Sequence, residues 1–156
     1  MAEPCLEPIH DFLAQKRIAV VGASRNTRDF NATLFRDLRE RGYDAVPVNP
    51  NTREVEGVPC FDSVQEVQPP VDAVLIMTRP ETTDTIARDC VEAGVKRVWM
   101  YRGTGPGAVS RAAVDFCRKN GIRVVAGYCH YMFLPATPWF HRLHGFVMKI
   151  TRSYPA

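Results

Sequence analysis

The chain has 156 residues, 46% of them hydrophobic, with 20 basic residues against 17 acidic and a formal charge of +3. That length suits one domain whose core needs neither disulfides nor a structural metal. So slight a basic excess, with no basic cluster interleaved with aromatics, argues against nucleic acid or a membrane surface as partner, and no apolar run approaches the ~18 residues of a membrane span.

Met1 to Asp11 carries Glu3, Pro4, Glu7 and Pro8 and lacks a basic segment followed by an apolar one, so no signal peptide is expected. Leu6, Ile9, His10, Leu13 and Ala14 recur at helical spacing and predict a short leading helix. Arg17 to Gly22 is an apolar run ending at glycine, the pattern of a fully buried first strand. A polar loop, Ala23 to Asp29, precedes a helix marked by Phe30, Leu34, Phe35 and Leu38 and stopped at Gly42. Tyr43 to Val48 is the second strand, closed by Asn49-Pro50-Asn51. A connection broken by Gly57, Pro59 and Pro69-Pro70 leads to the third strand, Val71 to Met77. Pro80 opens a helix that runs to Ala93 before Gly94. Val95 to Met100 is the fourth strand, and a glycine-rich loop spans Arg102 to Gly107. Ala108 to Asn120 is predicted as a helix and Ile122 to Ala126 as the fifth strand. An aromatic, proline-rich tail, 131–156, follows a core of about 14–130, with an edge strand expected at Phe146 to Ile150.

Strand and helix alternate, and the strands are apolar on every residue. This predicts an α/β fold: a Rossmann-like, doubly wound parallel sheet of about five strands, in three layers, forming a single domain. The five cysteines, Cys5, Cys60, Cys90, Cys117 and Cys129, are odd in number and widely spaced, which predicts reduced thiols in a cytoplasmic protein.

Ligands of such sheets sit beyond the carboxyl ends of the strands. The loops expected there are Gly22 to Asn31, Asn49 to Arg53, Thr78 to Glu81 and Tyr101 to Gly107. In the first, Gly22 permits a sharp turn, Ala23 is small, Ser24 offers a hydroxyl, and Arg25 or Arg28 offers charge. With the amino end of a helix behind it, this loop suits a diphosphate; the alternative is a tight turn whose serine caps the helix. It is not the G-x-G-x-x-G dinucleotide fingerprint, because Ser24 and Thr27 stand where the second and third glycines belong. No carboxylate follows the second strand until Glu54, whereas Arg53 could meet a ribose phosphate. That weakens NAD and leaves NADP or a 3′-phosphorylated nucleotide.

The stretches Ala19 to Asn26, Gly42-Tyr43 through Pro47 to Pro50, Gly57-Val58-Pro59, Val71 to Val74, Gly94 to Trp99, Gly121 to Val125, and Cys129 occur in order over about residues 17–130. As a set they resemble the single-domain coenzyme A-binding protein family, whose fold is shared with the nucleotide-binding domain of the succinyl-CoA synthetase alpha subunit. The resemblance implies coenzyme A, or an acyl-CoA, bound across the strand ends. It implies a diphosphate near Gly22, Ala23, Ser24 and Arg25, an adenosine end bordered by Val48, Asn49 and Pro50, and a middle section along Thr78, Arg79 and Pro80. Gly103 is then the point of close backbone approach. Two departures stand out: the segment Tyr128 to Phe133 is more aromatic than expected around the family cysteine, and the loop Thr27 to Asn31 lacks the usual lysine or glycine.

No catalytic constellation accompanies these loops. His141 and His144 lie three apart without a further ligand at matching spacing, so packing among the aromatics or a place in solvent is favoured over a metal site. Cys129 is a possible redox residue, but its neighbour His130 points to the opposite face if both lie on a strand, which favours a buried thiol. The synthetase relative keeps its phosphorylated histidine in a second domain for which these residues leave no room. A coenzyme A-binding module is therefore expected, holding a small-molecule nucleotide ligand, with a homodimer or a partner enzyme as open alternatives. The rivals are an NADP-dependent reductase and an interaction module working through the aromatic tail.

Overall fold

A computed structural model describes residues 6–103 and 105–134. In chain order its strands are β1 (Arg17–Val21), β2 (Asp44–Val48), β3 (Glu54–Val55), β4 (Val58–Pro59), β5 (Ala73–Ile76), β6 (Arg97–Met100) and β7 (Arg123–Ala126). Its helices are α1 (Leu6–Leu13), α2 (Phe30–Glu40), α3 (Pro80–Glu92) and α4 (Arg111–Lys119). The five longer strands form one parallel sheet in the order β2-β1-β5-β6-β7. This is the α/β, Rossmann-like sheet that the sequence predicts.

The strands are apolar throughout because both faces are covered. In β1, Ile18 and Val20 pack with Ile9 and Phe12 of α1 and Leu34, Phe35 and Leu38 of α2. Ala19 and Val21 face the opposite way, against Ile86 and Cys90 of α3 and Val114 and Cys117 of α4. Full burial of each large aliphatic or phenyl group contributes about 1.5–3 kcal/mol. Trp99, fully buried in β6, meets Phe12 edge-on at 5.4 Å and donates its indole N–H to the Gly127 carbonyl at 3.1 Å. That bond satisfies the ring's polar atom and joins β6 to the turn after β7.

Two local expectations change. The helix predicted from Ala108 begins at Arg111, because the Ser110 hydroxyl accepts the Ala113 amide and fixes the cap there. The connection between β2 and β5 holds a two-stranded antiparallel hairpin, β3 with β4, and a 3-10 turn at Val64–Glu66. Its turn residues Glu56 and Gly57 both have positive φ, 51° and 75°. The tail beyond Leu134, with its expected strand at 146–150 and with His141 and His144, lies outside the described residues. No helix among the described residues is long and apolar enough to cross a membrane.

The pairing register aligns the strand ends. Val21 stands opposite both Val48 and Ile76, Ile76 opposite Met100, and Met100 opposite Ala126. The carboxyl ends of all five strands therefore share one edge. The helices that follow β1, β5 and β6 start from that edge, so their positive dipole ends converge there.

Candidate functional site

Winding reverses between β1 and β5: β1 leads through α2 to one side, and β5 leads through α3, on the other face, to the other side. A crevice opens at such a point. Gly22 sits there with φ +91°, and a Cβ on it would lie 3.2 Å from the Met77 backbone and from Thr78 Cγ2. Only glycine lets the chain leave β1 this close to the end of β5. Asn31, in the first turn of α2, then ties the two ends together. Its amide donates to the Gly22 carbonyl at 2.8 Å and to the Met77 carbonyl at 3.3 Å.

The residues singled out from the sequence divide by what they expose. Ala23 is fully buried, and its carbonyl accepts the Asn49 side-chain amide at 2.9 Å. The Asn49 carbonyl oxygen, Oδ1, accepts the Asn51 amide at 2.9 Å. Val48 is buried, and its backbone carbonyl accepts the Gly22 amide at 3.0 Å. Gly22, Ala23, Val48 and Asn49 are thus brought together as one frame holding the ends of β1 and β2. Arg25, Arg28, Pro50, Arg53, Arg79 and Arg102 are exposed in the loops that follow the strands. Arg53 stands just before the hairpin, where its carbonyl accepts the Cys60 amide at 2.9 Å.

Ser24 is not idle in the structure. Its hydroxyl donates to Asp29 Oδ2 at 2.6 Å and accepts the Asn26 amide at 3.1 Å. Asn26 Nδ2 donates to Asp29 Oδ1 at 2.9 Å. The serine of the first loop therefore closes a turn with Asp29 rather than capping α2.

On the β5 side, the Thr78 and Thr83 hydroxyls are 3.3 Å apart, and the buried Thr83 hydroxyl donates to the Ala108 carbonyl at 2.8 Å. Pro80 occupies the first turn of α3, where its missing N–H leaves no bond unmade. Thr83 fastens the end of the glycine-rich loop to α3. In that loop a Cβ on Gly103 would lie 2.5 Å from the Tyr101 hydroxyl, and one on Gly107 would lie 2.4 Å from the Tyr101 carbonyl. The close neighbour of Gly103 is thus Tyr101, and Gly107, with φ +61°, makes the tighter approach.

Cys129 lies beneath this rim. A turn at Gly127 and Tyr128, both with positive φ, carries the chain back from β7. The Tyr101 hydroxyl donates to the Cys129 sulfur at 3.8 Å, and burial pushes the thiol above its ordinary range. Burial also raises the Tyr101 and Tyr131 phenols. Phe30, exposed at the start of α2, faces Tyr101 at 5.5 Å and Tyr131 at 6.2 Å, which makes one wall of the edge aromatic. Among the described residues no group of three or more His, Cys, Asp or Glu side chains is placed to hold a metal ion.

Sequence reasoning placed Asn31 and Gly107 in the ligand-edge loops without giving either a role, and it did not single out Thr83. Gly107 was legible as a glycine just before a helix. Asn31 and Thr83 were not, because each reads as an ordinary polar residue until its carbonyl partners are in place.

The chain has known relatives. It is 28% identical over 130 residues to the uncharacterized protein YneT of Bacillus subtilis, covering 83% of this chain and 93% of that one. It is 30% identical over 125 residues to the alpha subunit of acetate–CoA ligase [ADP-forming] II of Pyrococcus furiosus, covering 76% of this chain. It spans only 27% of that subunit. A hypothetical protein of Pyrococcus horikoshii superimposes with a TM-score of 0.72 at 30% identity, covering 80% of this chain and 85% of that one. The family model described as a CoA binding domain matches residues 16–135, from the residue before β1 to one residue past the last described one. The chain belongs to the CoA-binding domain family.

Proposed function

We propose that the chain binds coenzyme A or an acyl-CoA along the carboxyl edge of the sheet, with the diphosphate at the loop after β1. The observation that carries this reading is the switch-point crevice inside the family's matched segment, where Gly22 holds the loop open beside exposed arginines. Gly22, Ala23, Ser24 and Arg25 would approach the diphosphate chiefly through backbone amides and the arginine charge. Val48, Asn49 and Pro50 would border the adenosine, with Arg53 toward a ribose phosphate, and Thr78, Arg79 and Pro80 would line the arm. In this reading the ligand runs along the sheet order, with adenosine over β2, diphosphate over β1, and the arm across β5 toward Tyr101, Gly103 and Cys129.

The ligase relative is several times longer, so the reading is confined to ligand binding. A reducing compartment, the cytoplasm, suits Cys60, Cys90 and Cys117, which form no disulfide. A thermal-shift series with coenzyme A, acetyl-CoA, NADPH and NADH tests the proposal. Coenzyme A or acetyl-CoA is expected to raise the melting temperature, by about 2.7 kcal/mol of stabilisation at a hundredfold excess over Kd. NADH is expected to leave it unchanged, since no carboxylate directly follows β2. A response to NADH and none to coenzyme A would overturn the proposal.

A further inference from the structure

Two side-chain donors of the first loop, which a phosphate could also use, already serve a carboxylate. Asp29 accepts the Ser24 hydroxyl on Oδ2 and the Asn26 side-chain amide on Oδ1, at 2.6 and 2.9 Å. It sits at the N-cap of α2 with extended backbone, φ −73° and ψ 147°, yet its side chain makes no capping bond. The carboxylate is turned to the loop instead of the helix amides. Among the described residues no Lys, Arg or His forms an ion pair with it. A carboxylate with no cationic partner among these residues thus stands at hydrogen-bond distance from Ser24, within the loop read as the diphosphate site.

We propose that Asp29 competes with ligand phosphate for the donors of this loop and thereby sets how tightly a phosphate-bearing ligand is held. The inference rests on the reading of the loop as the diphosphate site. A phosphate oxygen that accepts the Ser24 hydroxyl must displace Asp29 Oδ2, since one hydroxyl proton serves one strong acceptor. Even after displacement, two anions remain within a few ångströms, and at a protein surface their repulsion is substantial but screened by salt. The turn itself does not depend on the carboxylate alone. The Asp29 amide donates to the Asn26 carbonyl at 3.0 Å, and the Asp29 carbonyl accepts the Thr33 amide at 3.1 Å.

The test is titration calorimetry of coenzyme A into the wild type, Asp29→Asn and Asp29→Ser at low and high salt, with melting temperatures as a check on folding. Ser24→Tyr, whose ring would fill the loop, serves as the control for the site. Both Asp29 variants are expected to bind coenzyme A about five- to tenfold more tightly at low salt, with the gain shrinking as ionic strength rises. Equal or weaker binding by Asp29→Asn and Asp29→Ser would overturn the inference, and so would a gain that salt leaves unchanged, which a loosened loop would give. Coenzyme A binding that Ser24→Tyr fails to weaken, or no binding by any variant, would remove the underlying site reading and the inference with it.

Discussion

At the residue scale the crevice depends on the absence of one side chain and the presence of one amide. Gly22→Ala adds a Cβ in a left-handed conformation, 3.2 Å from the Met77 backbone. The strain and the contact together are expected to cost about 1–3 kcal/mol and to weaken coenzyme A binding, because the β1 and β5 ends must part. Urea unfolding of the variant checks the first effect and calorimetry the second; wild-type values in both would remove Gly22 from the account. Asn31→Ala strips one donor from two carbonyls, those of Gly22 and Met77. A loss of about 1–3 kcal/mol is expected, again read by urea unfolding. The first of these positions was legible, since a glycine closing an apolar run before a helix has few other uses. The second was not, because a side-chain amide in a first helical turn carries no sign of its acceptors.

At the element scale α1 is held by charge as well as by Ile9 and Phe12. Asp11 accepts from Arg97 at 2.7 Å and from Arg123 at 3.2 Å, and Arg123 also reaches Glu7 at 2.9 Å. The helix is thereby fastened to the amino ends of β6 and β7. The Arg97 hydrogen bond is the largest cause holding the Asp11 carboxyl below its ordinary value. A depressed carboxylate stabilises the fold above its unfolded pKa, near 3.9, and loses that contribution as pH falls through the lower folded value. Asp11→Asn is therefore expected to lower stability by about 1 kcal/mol at neutral pH and to flatten its decline below about pH 4. Denaturant midpoints measured from pH 7 to pH 2 check this, and parallel curves for the two proteins would contradict it.

Elements of this kind differ in how plainly a sequence announces them. Runs such as Ile18 to Val21 or Val74 to Ile76 admit one reading, because parallel strands are buried on both sides. The β3–β4 hairpin has two residues per strand, too few to show any alternation. Ala108 and Val109 are apolar enough to pass for helix, and only the Ser110 cap shows where α4 begins.

At the scale of the whole molecule, the strand order and aligned ends place three helix amino termini and several exposed arginines on one edge. The alternation of strands and helices foretold such an edge, but not that the reversal falls between β1 and β5. That follows from which strands pair, a long-range choice no local pattern encodes. The opposite edge offers a rival. A cavity of about 360 Å³ opens there among Leu13, Lys16, Arg41, Tyr43 and Leu134, at the amino ends of β1 and β2. The two edges are separated by the length of the strands, so a map of amide shifts in isotopically labelled protein, titrated with coenzyme A, distinguishes them directly. The largest changes are expected at Gly22 to Asp29, Asn49 and Thr78 to Glu81, spreading to Tyr101 and Gly103. Changes confined to Leu13 to Lys16 and Arg41 to Tyr43, with the Gly22 loop unmoved, would contradict the account.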